Sequence, residues 1–440
     1  MITRSRINQL MAISLPIMGG MVSGNLLSLV DTAMVGSLGM TAIAAAGVAG
    51  FAISLVFATF SSLASATQAI TARRIGEGKP EEATHALHSG LVISTIIGVV
   101  VSAVLIPLIP SIFPILSDDA DVLRQGIPYM QISLIGLMGS CINTSLAGYW
   151  NGLGKTVAYT NIMMTSHLVN ILLNYVFIFG FMGIPAYGVA GAAIATTLSI
   201  YLTTIAYFVL LIKHHKPPGF LKLKLPPGVL KRMVNLMVPM SGRSVLQYAG
   251  YLIFTVLMGK IGTLELAATT ILVRIMLITF MPVFGMGLGG ATLAAQRLGA
   301  KEPEEATQWG WDTAKIGAII SFIVGLPLIF FPGPILSILV DDAATVALSV
   351  VPLQVIGLTR PLYIVFIFAT LLITMGEVKR PTYFQLGTQW LLFLPAVWFF
   401  SRQADASFLL FWILEASNIA LQLAILAWLW KQGNWQKVRV

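Results

Sequence analysis

Two acids lie well inside apolar stretches of this sequence, Asp31 and Glu415, whereas most of the other acids sit at the ends of such stretches or between them. An ionised carboxylate near the centre of a bilayer costs ~2.5–3.5 kcal/mol on insertion scales. The chemistry open to such a group is gaining and losing a proton, or holding a cation. Asp31 stands in the run Asn25-Leu-Leu-Ser-Leu-Val-Asp31-Thr32. Asn170 and Asn174 are four residues apart, so their amides share one helical face. Thr196 and Thr197 follow in Ala-Ile-Ala-Thr-Thr-Leu-Ser. These amides and hydroxyls are able to donate to Asp31 and tune its hold on a proton. The alternative is that they tie helices together, as such groups commonly do in membranes. Pro16 lies fifteen residues before Asp31 and is followed by Gly19 and Gly20. It removes a ladder hydrogen bond and gives the helix a place to bend, with plain packing as the other reading.

Three arginines, Arg243, Arg274 and Arg360, also fall in apolar stretches, and no acid lies within those spans beyond Glu265 at the very start of Arg274's. Arg243 and Arg360 are expected to snorkel towards an interface. Arg274 is expected to face the bundle interior or a cleft, bound first of all to carbonyls, or else to a lipid headgroup or an anionic substrate group. Gln247, Arg274 and Tyr129 are candidates for lining a substrate cleft. Soluble-enzyme signatures are absent: there is no phosphate-binding loop, no dinucleotide fingerprint and no metal-ligand pair. Cys141 is the single cysteine, and His167, the one histidine inside an apolar stretch, reads as a helix–helix contact. The sequence therefore points away from an enzyme, from cofactors and from bound metal. Any work the chain does must draw on an ion gradient or a partner.

The elements that position these groups follow from composition. Hydrophobic residues make up 57% of the 440 residues and charged ones only 10%, against about 25% in soluble domains; mean hydropathy is +0.87. Spans of ~20 apolar residues are predicted at 9–36, 43–72, 87–112, 123–150, 157–180, 187–212, 230–259, 265–296, 312–334, 344–375, 382–400 and 407–430. Arg4 and Arg6 precede the first, without a small-residue cleavage site, so it is expected to stay as a helix. With both termini on one side, that side's loops carry 20 Lys and Arg and the opposite side three, Arg124, Lys260 and Arg402. Basic loops stay cytoplasmic, which places both termini there. The net charge of +9 is thus an orientation signal and gives no reason to expect nucleic acid.

A shift of 223 residues lays the sequence on itself: Pro16 on Pro239, Gly36 on Gly259, Asp118-Asp119 on Asp341-Asp342, Gln131 on Gln354, and Arg74 to Thr84 on Arg297 to Thr307. Asp31 falls on Phe254, so the fold does not require a carboxylate there. The fold expected is an all-α membrane protein of twelve helices, in two six-helix lobes related by a pseudo-two-fold axis along the membrane normal. The domains are expected at 1–212 and 232–440, joined by a Pro- and Lys-rich cytoplasmic linker at 213–231. A cleft between such lobes is the usual place for substrate, and rocking of the halves the usual motion.

The motifs Leu29-Val-Asp31-Thr-Ala-Met-Val-Gly36, Gly152-Leu-Gly-Lys-Thr156, Asn170-Ile-Leu-Leu-Asn174 and Met281-Pro-Val-Phe-Gly285 resemble the multidrug and toxic compound extrusion (MATE) family over nearly the whole chain. The resemblance implies twelve helices around a central cavity and export of amphipathic, mostly cationic drugs against incoming H⁺ or Na⁺. It also implies a bacterial inner-membrane location and no cofactor. The partners expected are small amphipathic drugs and membrane lipids, with the protein a monomer. In the sodium-coupled branch, acids on helices 7 and 10 form a cation site; here helix 7 offers Gln247 and helix 10 no acid. In the DinF-like branch the coupling carboxylate is on helix 1, matching Asp31, with a proline matching Pro16. Some members carry a second acid on helix 5 where this chain has Asn174. A lone carboxylate favours H⁺. Sodium is the alternative, its shell completed by Asn170, Asn174, Thr196 and water. A lipid-linked oligosaccharide flippase, with an arginine-rich cleft, is the other reading.

Overall fold

A computed structural model describes residues 2–403 and 407–438. The long helical segments are α1 (Arg4–Gly36), α2 (Met40–Gly76), α3 (Pro80–Ile115), α4 (Ala120–Ile135 with Leu137–Leu153), α5 (Thr156–Phe179) and α6 (Gly188–His215). They continue as α7 (Pro227–Ile261), α8 (Thr263–Gly299), α9 (Pro303–Phe330), α10 (Ala343–Thr374), α11 (379–400) and α12 (Phe408–Gln432). Ten are individually long and apolar enough to cross a membrane, and the two parts of α4, bent by 44°, form an eleventh. The twelfth expected span, α11, is helical but interrupted by a π turn at Thr388–Phe393. Length and composition alone do not support it.

Apolar windows place the starts of α3 and α9 too late, at 87 and 312. Both helices begin at a proline, Pro80 and Pro303, followed by Glu81-Glu82 and Glu304-Glu305. Proline suits the first helical position, and acids suit the positive end of the helix dipole. The helices thus run beyond the apolar core that hydropathy detects.

The repeat is visible as the same contacts made twice. Gln131 Nε2 donates to the Ile106 carbonyl at 3.1 Å, and Gln354 Nε2 to the Ile329 carbonyl at 3.2 Å. Asp119 caps α4 by accepting from the amides of Asp121 and Val122, and Asp342 caps α10 by accepting from that of Thr345. Where Ser102 Oγ donates to the Leu134 carbonyl at 2.6 Å, the second repeat has Gly325 and Gly357. A Cβ on Gly325 would stand 2.4 Å from the Gly357 carbonyl oxygen.

Grouped by contact, the chain forms two compact units, Gly19–Ser241, and Met1–Met18 with Gly242–Val440. Both α1 and α7 therefore pass from one unit to the other, at Met18–Gly19 and Ser241–Gly242. Each crossing lies just after the repeat's proline, Pro16 or Pro239.

In the unit with the C-terminal helices, the start of α1 is held by Arg6. Its Nη2 lies 3.0 Å from Glu305 Oε2, its Nε 3.2 Å from Asp312 Oδ2, and its guanidinium 4.4 Å from the centre of the Trp309 ring. In the other unit, Ser62 Oγ lies 2.6 Å from Ser241 Oγ and donates to the Met237 carbonyl at 3.2 Å. The loop that joins α6 to α7, 216–226, is pinned to α3 there. His88 Nε2 lies 2.9 Å from the Phe220 carbonyl oxygen, the Lys224 amide donates to His88 Nδ1, and Lys224 Nζ meets Glu81 at 2.9 Å.

Candidate functional site: an acid on an amide ladder

Within the Gly19–Ser241 unit, α1, α5 and α6 bring the expected polar residues together. The α5–α6 crossing is close because Gly191 has no side chain; a Cβ there would lie 2.2 Å from the Phe177 carbonyl oxygen. On α1, Ser23 Oγ lies 2.7 Å from His167 Nδ1, so His167 is the helix–helix contact its position suggested. Two turns further along α1, half-buried Asp31 faces α5. Asn174 Nδ2 donates to Asp31 Oδ1 at 2.5 Å and to Asn170 Oδ1 at 3.0 Å. Asn170 Nδ2 in turn donates to Ser199 Oγ at 3.1 Å and reaches Thr196 Oγ1 at 3.4 Å.

Both asparagines are buried, Asn174 completely. An amide carries two donors and one carbonyl acceptor. Asn174 uses its donor nitrogen on two oxygens, while its own Oδ1 is buried without a partner among the described residues. The ladder thus ends on an ionisable oxygen at one end and a hydroxyl at the other, with one acceptor in reserve. The walls are apolar: Val35, Ala42, Ile178, Val189 and Ala192 form a cluster against which Tyr129 packs. Among the described residues no three of His, Cys, Asp and Glu come together as a metal site would need.

The equivalent place in the second repeat has different chemistry. Shifted by 223, Asp31 becomes Phe254, Asn170 becomes Phe393 and Asn174 becomes Val397. The Phe254 ring lies 5.5 Å from that of Phe393 and 5.8 Å from that of Trp412. The same helical frame is filled once by a carboxylate and amides and once by aromatic packing. Only the first arrangement can change charge.

The remaining expected residues are placed differently. Pro16 is in α1 but on the other side of the Met18–Gly19 crossing from Asp31. Gln247 lines a small cavity with Tyr251 and Glu415 in the unit that holds the C-terminal helices. Arg274 is exposed and bonds no carbonyl among the described residues, so it is not the carbonyl-bound group expected first. Its position on α8, between the buried Leu272 and Ile275, turns it off the packed face.

Arg360 is fully buried and does not snorkel, because it sits in the 3-10 turn between the two straight parts of α10. Arg243 is half-buried and donates to Gln385 Oε1 at 2.7 Å. Sequence reasoning did not single out Ser199, although it lies three residues after Thr196 on a neighbouring helical position. It also missed that Glu415 and Arg360 are neighbours, a relation between distant spans that no local spacing carries.

The MatE family model matches residues 16–176 and 239–399. The second segment is the first moved by 223 positions at both ends (239 less 16, 399 less 176), the same repeat that the fold shows. The chain is similar to a probable multidrug resistance protein NorM of Thermotoga maritima, 24% identical over 98% of this chain and 93% of that one. Its fold matches a MOP superfamily transporter from Pyrococcus furiosus, with a TM-score of 0.90, 20% identity and coverage of 98% and 96%. An outward-facing multidrug resistance MATE family transporter matches with a TM-score of 0.89, 20% identity and the same coverage. With the family's own segment found twice in one chain, and the repeat's contacts made twice in the fold, this protein belongs to the MATE family.

Proposed function

We propose that this protein is a multidrug efflux antiporter of the DinF-like branch in a bacterial inner membrane, with its termini in the cytoplasm. It exports amphipathic, mostly cationic compounds in exchange for H⁺, acting as a monomer. The observation that carries the reading is the Asp31–Asn174–Asn170 ladder, set against Phe254, Val397 and Phe393 in the other repeat. A fold that is satisfied by aromatic residues has no structural need of a half-buried acid, which makes function the reason for it.

Ionised, Asp31 accepts from Asn174 and offers a charge to a cation. Protonated, it becomes a donor, and the unpartnered Asn174 Oδ1 is an acceptor within the same residue pair. The proton therefore exchanges the direction of one hydrogen bond and removes the attraction for a cationic drug, which is then released. Asp31 lies beyond the α1 crossing, and Pro16 just before it. That order lets the outer part of α1 move while its start stays anchored. A one-for-one exchange of H⁺ for a monovalent cation moves no net charge, so the voltage cancels. The pH difference alone supplies ~1.4 kcal/mol, a tenfold drug gradient, per pH unit.

Sodium coupling is less well supported, because the ladder offers one carboxylate and otherwise neutral amides and hydroxyls. The flippase reading loses Arg360, which is buried inside its own bundle. The test is drug-driven proton movement in proteoliposomes, with wild type and Asp31→Asn, under a pH gradient or a sodium gradient alone. The variant is expected to lose the drug-driven proton signal. Full antiport by Asp31→Asn, or transport driven by sodium with no pH gradient, overturns the assignment.

A further inference from the structure

The second repeat contains a polar chamber. Gln247 and Tyr251 of α7, Gln389 of α11, and Glu415, Asn418 and Gln422 of α12 line a cavity of about 20 Å³. A single water needs ~10–15 Å³, so the chamber has room for one. Glu415 is buried, and the Tyr363 hydroxyl donates to its Oε1 at 3.3 Å. Beside it is Arg360, 0% exposed, its guanidinium stacked 4.2 Å from the centre of the Tyr363 ring.

Arg360 Nε, Nη1 and Nη2 all lack hydrogen-bond partners among the described residues. Arginine keeps its proton in proteins, so this is a buried cation without a direct counter-ion. The carboxylate whose field it feels, Glu415, is turned to the chamber instead of forming an ion pair. Shifted by 223, the matching positions in the first repeat are Leu137 for Arg360, Ala192 for Glu415 and Ala195 for Asn418. The frame again does without the charges.

We propose that Glu415 is a second proton-exchanging carboxylate of this chain, opposed by Arg360 and served by the amide-lined chamber. This arrangement is that of the protonated acid: neutral Glu415 faces the chamber, and Arg360 rests on Tyr363. When the proton passes to water in the chamber, leaving a carboxylate and a hydronium ion, the carboxylate swings to the free guanidinium. A buried cation and anion are costly apart and compensated together. The charged or titratable groups facing Glu415 are Arg360 and Tyr363 from α10 and Tyr251 from α7, while α11 contributes the neutral Gln389. The fixed positive charge of Arg360 repels a metal cation, which makes the proton the ligand.

The consequence rests on the antiport reading above. Two protons for one monovalent cation carry net charge inward, so the membrane potential adds ~2.3 kcal/mol per 100 mV, about fiftyfold in drug gradient.

The experiment compares wild type, Asp31→Asn, Glu415→Gln and the double variant in lipid nanodiscs. Infrared difference spectra of the carboxyl C=O stretch are recorded as the pH is stepped from about 5 to about 9. Each single variant is expected to remove its own component, and the double variant both. In proteoliposomes, Glu415→Gln is expected to abolish the response of drug accumulation to an imposed potassium diffusion potential. A Glu415→Gln spectrum identical to that of wild type, or an undiminished voltage response, overturns the proposal. Failure of the Asp31 assignment shows instead in the Asp31→Asn spectrum. If Glu415→Gln does not fold because Arg360 is left unpaired, Arg360→Met with Glu415→Gln removes both charges, and the same two readouts decide.

Discussion

Phe254 meets Phe393 ring to ring at 5.5 Å, at the two positions that Asp31 and Asn170 hold in the first repeat. The pair defines what each repeat tolerates. Phe254→Asp puts a carboxylate between the rings of Phe393 and Trp412, where the neighbouring donor is one neutral indole N–H and no cation stands opposite, and burying an unpaired charge costs several kcal/mol. It is expected to abolish the folded yield, read as the monodisperse peak in size-exclusion chromatography. Asp31→Asn keeps the size of the side chain and can still bond Asn174, so its thermal stability is expected to stay within ~1 kcal/mol of wild type. Equal behaviour of the two variants would contradict the asymmetry.

The amide ladder is hierarchical, because Asn174 touches Asp31 whereas Asn170 reaches it only through Asn174. A hydrogen bond to a charged group contributes ~1.5–3 kcal/mol. Asn174→Val, which copies Val397 of the second repeat, is expected to slow drug-driven proton movement by about tenfold or more. Asn170→Val is expected to have a smaller effect. Initial rates in proteoliposomes give the comparison, and a larger loss in Asn170→Val would reverse the order of action.

Arg6 holds the start of α1 through buried Asp312 and exposed Glu305. Arg6→Ala leaves Asp312 buried and unpaired, for which ~3–5 kcal/mol of destabilisation is expected. Glu305→Ala, at an exposed site, is expected to cost less than ~1 kcal/mol. Arg6→Met with Asp312→Asn is expected to restore most of the loss, as followed by thermal unfolding in detergent.

Outside the spans, the hydroxyl and amide of Thr345 hold the Asp342 carboxyl below its usual range. A depressed value means that the cap favours the folded helix end above the unfolded aspartate value of ~3.9. The effect is lost as the pH falls further, through the folded value. The protection of the Ala344–Val346 amides, measured against the intrinsic exchange rate at each pH, is expected to fall on acidification below that value. Asp342→Ala is expected to show the lower protection already at neutral pH, and Asp342→Asn, which still caps, to lose the pH dependence.

The sequence revealed most of the frame, because a membrane forces long apolar helices and a repeat announces itself by offset. Asp31, Asn170 and Asn174 could be grouped in advance, since two amides at helical spacing and one acid in an apolar run are local signals. Arg360 and Glu415 could not. They are 55 residues apart (415 less 360) on different spans, and whether an arginine snorkels or is buried depends on which way its turn of helix faces. Depth along a helix can be read from sequence, but azimuth requires packing. The helix starts at Pro80 and Pro303 fall outside the apolar windows because those turns are polar, although proline followed by two acids was there to be read.

The paired crossings of α1 and α7 mean that neither half of this polypeptide owns its first helix outright. Cutting the backbone between 213 and 231 would not yield two self-sufficient pieces, since each product would carry a leading segment whose packing partners are on the other. Separately produced fragments should be insoluble or degraded, and co-production should rescue them by reciprocal exchange of those segments, as in a strand-swapped dimer made from a single gene.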